Sequence, residues 1–221
     1  MKRITLAFCA LTLLLNACNN AAKNETASDT STVSKTTSYA DTSTTHKDWV
    51  PMDTSKMMQA MMEYGAVGEP QKMLAKSTGN WNGQVVWWMG QNAPADTSMT
   101  TVSNKMIMGD RFLVSSYKGN MMGMPFEGTS TTGYDNAKKV YISTWIDNMS
   151  SGIMTMEGPY DAASKSIVMT GEMVSPVDGR TCKLKQVMRM VDDKTHIMEM
   201  YGPDPMTGVQ YKNMQITLTK K

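Results

Sequence analysis

Lys139-Val140-Tyr141-Ile142-Ser143-Thr144-Trp145-Ile146, with Asp135-Asn136 before it and Asp147-Asn148 after it, is the stretch that decides the fold. Tyr141, Ser143, Trp145 and Asp147 alternate with Val140, Ile142, Thr144 and Ile146. Residues two apart on a strand share a face, and β-branched and aromatic side chains favour the extended backbone. The Asp-Asn pairs tolerate the turn conformations that reverse the chain. A short strand between two tight turns follows, with an aromatic pair and a carboxylate on one side.

The same grammar runs outward in both directions. Gln84–Met89, Thr100–Met108, Arg111–Lys118, Pro125–Tyr134 and Ile153–Met156 read as strands, as do Ser166–Val174, Thr181–Val191, His196–Tyr201 and Val209–Leu218. Gly109-Asp110, Asp178-Gly179, Asp192-Asp193-Lys194 and Pro203 to Gly208 supply turns between them. Roughly ten short strands without intervening helices predict an all-β antiparallel meander. It removes its edges most simply by closing into an up-and-down barrel, and a two-sheet sandwich is the alternative. One or two short helices precede the strands. Asp53 or Thr54 caps the first, Met57, Met58, Met61 and Met62 form its apolar stripe, and Gly65 stops it. Pro70 suits the first turn of the second, with Met73 and Leu74 on one side and Gly79 past its end. The methionine stripe is expected to pack on one mouth of the barrel as a lid.

Several motifs in fixed order carry a resemblance. They are Gly109-Asp110-Arg111-Phe112-Leu113-Val114, MMGMPFEG at 121–128, GYDN at 133–136, TWIDNMSSGIM at 144–154, KQVMRMVDD at 185–193 and MEMYGPDPMTG at 198–208. Together they closely resemble a bacterial domain-of-unknown-function family, numbered 1579, over about residues 57 to 219. The resemblance implies a calycin-like barrel related to the lipocalins, and it implies no activity. A histidine that often precedes the Lys-x-Leu of that family's second helix is replaced here by Gln71-Lys72-Met73-Leu74, so its role does not carry over.

The first 17 residues read as a lipoprotein signal peptide. Lys2 and Arg3 form a basic head, Ile4 to Leu15 an apolar run too short to span a bilayer, and Ala17 precedes Cys18. Cys18 is the expected lipidation site. Residues 18–52 then form a tether, since 13 of the 32 residues from Asn19 to Val50 are Ser or Thr. Such a composition buries too little apolar area to offset its ordering entropy. The barrel domain is expected over 53–221. Its expected partner is a bacterial membrane, reached through the lipid anchor, and its place the cell envelope. With no acidic cluster after Cys18, the periplasmic side of the outer membrane is favoured.

Charge and cysteine usage exclude other classes. The chain carries 22 basic and 20 acidic side chains, and removal of Lys2 and Arg3 leaves 20 of each, which argues against nucleic acid as a partner. Cleavage and lipidation leave Cys182 alone, so no intrachain disulfide forms. His196 is the only histidine of the domain, no phosphate-binding or nucleophile-elbow motif appears, and no cofactor or metal is expected.

Candidate site residues come from strand faces and composition. Tyr141, Trp145 and Asp147 offer stacking area and an acceptor to a ligand cavity. Arg111 and Glu127 are charges in apolar strands, suited either to surface pairs or to a polar headgroup. The chain has 25 methionines, and Met-x-Met pairs recur at 106/108, 122/124, 154/156, 188/190 and 198/200. Thioethers can bind Cu(I), but the pairs are scattered over the sheet. Met188 and Met198 are read instead as lining for a deformable apolar interior. The function expected is binding of a small apolar or amphipathic molecule. An enzyme acting on that molecule and a structural lipoprotein with a filled barrel are the alternatives.

Overall fold

A computed structural model describes residues 52–221. The signal peptide, Cys18 and all of the tether but Met52 lie outside the described residues. Helices α1 (Thr54–Tyr64) and α2 (Glu69–Ala75) come first. The strands β1 (Gly79–Trp88), β2 (Ala95–Ile107), β3 (Phe112–Met121), β4 (Met124–Asp135), β5 (Val140–Asp147) and β6 (Met154–Gly158) follow in order. Then come β7 (Tyr160–Asp161), β8 (Ser166–Val174), β9 (Thr181–Asp192), β10 (Thr195–Pro203) and β11 (Gln210–Lys220). Every pairing is antiparallel, consecutive strands lie side by side, β1 pairs with β11, and β6 pairs with β8 to complete the circle. With β6 and β7 counted as one strand broken at Pro159, this is a closed ten-stranded barrel. It confirms the expected all-β fold and excludes the sandwich.

The closing seam is the narrowest part of the ladder. Met156 and Glu157 pair with Gly171 and Thr170, and Tyr160 and Asp161 pair with Ile167 and Ser166. Pro159 sits between the two halves, where its missing N–H breaks the strand at no cost to a ladder bond. Its carbonyl still accepts from the Val168 N–H at 3.1 Å. Gly158 and Gly171 permit the close approach. A Cβ on the first would overlap the Val168 carbonyl, and one on the second the Thr155 carbonyl.

Two apolar clusters pack inside. Leu74, Leu113, Tyr141, Met156, Ile167, Met169 and Leu184 form one, and Trp81, Val85, Val102, Ile216 and Leu218 the other. Leu74 belongs to α2 and is wholly buried, so α2 closes the barrel end near the starts of β1, β3 and β5. Gln71 is buried beside it and reaches the Tyr134 carbonyl at 3.5 Å. Met73 packs against the same cluster.

The methionine stripe of α1 does not form the expected lid; α2 closes the barrel instead. α1 is capped by the Asp53 carboxylate, which accepts from Ser55 N and Lys56 N at 2.7 and 3.3 Å, yet it buries no residue. Met57, Met58, Met61 and Met62 are 42–65% exposed. The segment between the helices is what binds them to the barrel. Arg111 Nε donates to Gly65 O at 2.8 Å, and Asn136 Nδ2 donates to Tyr64 O and Ala66 O at 2.8 Å each. Two hairpin tips therefore hold the linker and set α2 into the barrel end. Gly79 does not stop α2, which ends at Ala75; it opens β1 at φ +121°, where a Cβ is strained.

Leu74→Ala should therefore cost about 2–5 kcal/mol in urea unfolding, as for other buried leucine truncations. Met61→Ala on the exposed face of α1 should stay within about 0.5 kcal/mol of wild type. Equal losses for the two would contradict α2 as the element that closes the barrel.

Candidate functional site

The barrel interior is not filled. A cavity of about 510 Å³ runs through it, bounded by members of both apolar clusters. Its origin is visible in the short polar side chains that line it. β2 to β5 contribute Ser98, Thr100, Ser115, Ser130, Thr132 and Ser143, side chains too short to reach the opposite wall. The opposite wall is thioether: Met154 and Met156 on β6, Met188 and Met190 on β9, Met198 and Met200 on β10, Met214 on β11. The volume falls within the range of small-molecule sites, and the lining is apolar with a few polar groups, as such sites require.

Trp145 dominates the end away from α2. Its ring meets Tyr117 edge-on, with centroids 5.2 Å apart, and lies near-parallel to Phe126 at 6.3 Å. It also covers Gly128 on the neighbouring strand, where any Cβ would overlap the indole. The indole N–H donates to Asp147 Oδ2 at 2.7 Å, and Met149 N donates to Asp147 Oδ1 at 2.9 Å. Asp147 thus starts its turn and fixes the tryptophan in one step. Both its oxygens already accept a hydrogen bond from the protein.

Toward α2 the lining becomes polar. Ser77 O accepts from Trp81 Nε1 and from Asn104 Nδ2, each at 2.8 Å. His196 packs against Trp81 with ring centroids 4.4 Å apart. Burial above all, and then the Lys220 ammonium, hold its pKa below the usual histidine value, although Asp192 and Asp193 pull the other way. Lys76, Lys165, Asp192 and Asp193 line the cavity at this end.

The residues singled out from sequence separate into three groups. Trp145, Asp147, Met188 and Met198 line the cavity. Tyr141 shares their strand face but stands one layer too close to α2. It is buried, its hydroxyl lies 3.5 Å from the Pro70 carbonyl, and its ring packs against Tyr134 at 5.0 Å. Arg111 and Glu127 lie outside the lining. Arg111 holds the helix linker, and Glu127 pairs with Lys118 at 3.1 Å on the exposed surface. Sequence reasoning missed Tyr117, Asn104 and the hydroxyl wall. Tyr117 was within reach, since it follows Leu113 and Ser115 at intervals of two. Ser115 and Ser143 lie on those same faces, but the hydroxyls of β4 were not within reach, because an alternation of Ser and Thr gives no apolar side to point inward.

No group of three or more His, Cys, Asp or Glu side chains converges on a point among the described residues, so the structure offers no metal cage of that kind. Cys182, on β9 between Thr181 and Lys183, lies near the Arg180 carbonyl rather than a base.

Burial pushes the Tyr117 phenol up to about 12. An acid held protonated in the folded state keeps the fold stable while both states are protonated. Stability then falls as pH rises from about 10, where the unfolded chain ionises, toward 12. Tyr117→Phe should flatten that fall by about 1.4 kcal/mol per pH unit for one ionising group. Urea midpoints collected between pH 9 and 11.5 measure it, and parallel curves for the two proteins would contradict the burial of this hydroxyl.

Residues 66–220 match the family model described as "Protein of unknown function (DUF1579)". No curated protein matches the chain. The motifs at the hairpin tips, the strand that carries Trp145 and the Met-rich strands of the opposite wall all fall inside the matched residues, and the chain belongs to the DUF1579 family.

Proposed function

We propose that the protein is an envelope lipoprotein whose barrel binds a small apolar or amphipathic molecule. The cavity of about 510 Å³ carries this reading, because a barrel built only as a scaffold would be filled with side chains. Its methionine wall adapts to ligand shape, since thioether chains are unbranched and polarizable. Its aromatic end supplies a rigid stacking surface, with Trp145 held in place by Asp147.

The anchor is part of the proposal. A lipid on Cys18 would hold the domain at the membrane through the Ser/Thr-rich segment between them. The barrel would then stand at the periplasmic side of the outer membrane, within reach of molecules that partition from the bilayer. No helix among the described residues is long and apolar enough to cross a membrane.

Nile red titrated into the purified domain should give saturable dye emission with quenching of tryptophan fluorescence. Trp145→Phe should keep the fold and remove most of the quenching, because Trp145 alone among the described tryptophans lines the cavity. Emission that rises linearly without saturation would rule out a binding cavity. The anchor is tested separately in cells. Cys18→Ala should leave the precursor uncleaved and unlabelled by radioactive palmitate, and normal labelling would remove the lipoprotein assignment.

A further inference from the structure

From the two walls of this cavity we infer that its ligand is an uncharged facial amphiphile: an apolar skeleton carrying hydroxyl or ether oxygens along one side. The inference rests on the binding reading above and adds the chemical class. A head-and-tail amphiphile needs a polar end and an apolar tunnel. Here the α2 end is polar, but polarity also divides the barrel lengthwise. Every Ser and Thr that a strand contributes to the lining comes from β2 to β5, whereas seven of its eight strand methionines come from β6 to β11, beside Ile167, Gln186, Ile216 and Leu218.

The hydroxyl wall holds spare hydrogen-bonding capacity. Thr132 Oγ1 and Ser143 Oγ bond each other at 2.9 Å, and Thr100 Oγ1 donates to Lys118 O at 3.0 Å. Ser115 is only 5% exposed, faces the cavity, and makes no side-chain hydrogen bond among the described residues. Asn104 is 6% exposed, and its Oδ1 has no partner. Its amide orientation is fixed, since only the Nδ2 end can donate to Ser77 O. His196, across the cavity on β10, is 8% exposed and packs on Trp81. Among the described residues Asn104 Oδ1 is the one buried side-chain polar atom without a partner, and a donor-bearing ligand relieves that cost where an alkyl chain cannot.

Charge selects against ionised ligands. The ionisable lining residues sit at the two ends, in turns or at strand termini. The exception is Arg189, on the strand face that alternates with Met188 and Met190. Arg189 apart, the lining between the ends is neutral among the described residues, and a charge placed there away from Arg189 would be desolvated without a counter-ion.

A matched pair of rigid probes separates the classes. Methyl cholate carries three hydroxyls on one face of a four-ring skeleton, and methyl 5β-cholanate has the same skeleton and none. Displacement of Nile red from the intact domain should show methyl cholate binding at least tenfold tighter, because sites built to bond a hydroxyl reject analogues lacking it. Ser115→Ala and Ser130→Ala remove two hydroxyls without adding bulk. They should cut that preference threefold or more while leaving methyl 5β-cholanate affinity unchanged. Equal affinity for both probes, or a preference that survives both substitutions, overturns the facial assignment and leaves a cavity with general apolar affinity. If Nile red binds and neither sterol ester displaces it, the facial assignment is likewise overturned. Failure of Nile red itself to bind removes the binding reading and this inference with it.

Discussion

A sheet of ten strands curled on itself encloses more space than small inward side chains can fill. An eight-stranded barrel is about the size at which side chains meet across the middle. Here the extra circumference is combined with Ser and Thr at the lining positions of four consecutive strands. Closure is not optional, because an open ten-stranded sheet would expose two long unpaired edges. The void is therefore a consequence of closing this particular sequence. The seam that closes it is the most demanding place in the molecule. Gly158 and Gly171 bring β6 and β8 together where any side chain would strike backbone, and Pro159 breaks the strand so that the second half can bend back.

With its centre empty, the barrel draws stability from its ends and walls. Two apolar clusters do this work, one of them completed by Leu74 from α2. The fully buried Trp81 bridges the wall to the helix connection through its bond to Ser77 O. At the far end, Trp145 packs between Tyr117 and Phe126 and over a glycine. The two tryptophans thus act differently. Trp81 is sealed into the core, whereas Trp145 keeps part of its surface on the cavity, at the end where a ligand would meet aromatic rather than polar surface.

The course of the chain was legible in the sequence because turn chemistry is local. Asp135-Asn136 and Asp147-Asn148 bound β5 within a residue of the expected limits, and Ser166–Val174 was read with its true ends. Asp161 and Asp178 accept from the backbone or side chains of the next two or three residues, which is the behaviour that makes Asp a turn residue. Faces were less legible. On β4, Ser130 and Thr132 alternate with Thr129 and Thr131, so neither side is apolar and composition does not say which points inward. Height along the barrel was not legible at all. Tyr141 and Trp145 share a face, yet one is core under α2 and the other lines the cavity, a distinction set by the stagger of strands around the barrel. The methionine stripe of α1 misled for a related reason: amphipathic spacing shows that a helix has an apolar side, not that the fold supplies a surface for it.

Methionine in place of leucine gives this interior its character. Leu, Ile and Val have few rotamers and would hold a cavity in one shape, whereas an unbranched thioether chain shifts among several at little cost. The hydroxyl wall is the opposite case. Its side chains are short, and Thr132, Ser143 and Thr100 are tied to each other or to the sheet, so their oxygens keep fixed positions. One wall is thus set in place and the other yields. Such a pairing separates two tasks that most sites combine. Fixed oxygens would determine how a ligand lies, because a misplaced hydrogen bond leaves a buried polar group unsatisfied. Mobile thioethers would determine how large it can be, because filling space with an adaptable chain tolerates differences in outline. For a molecule held there, orientation would therefore be specified more strictly than size.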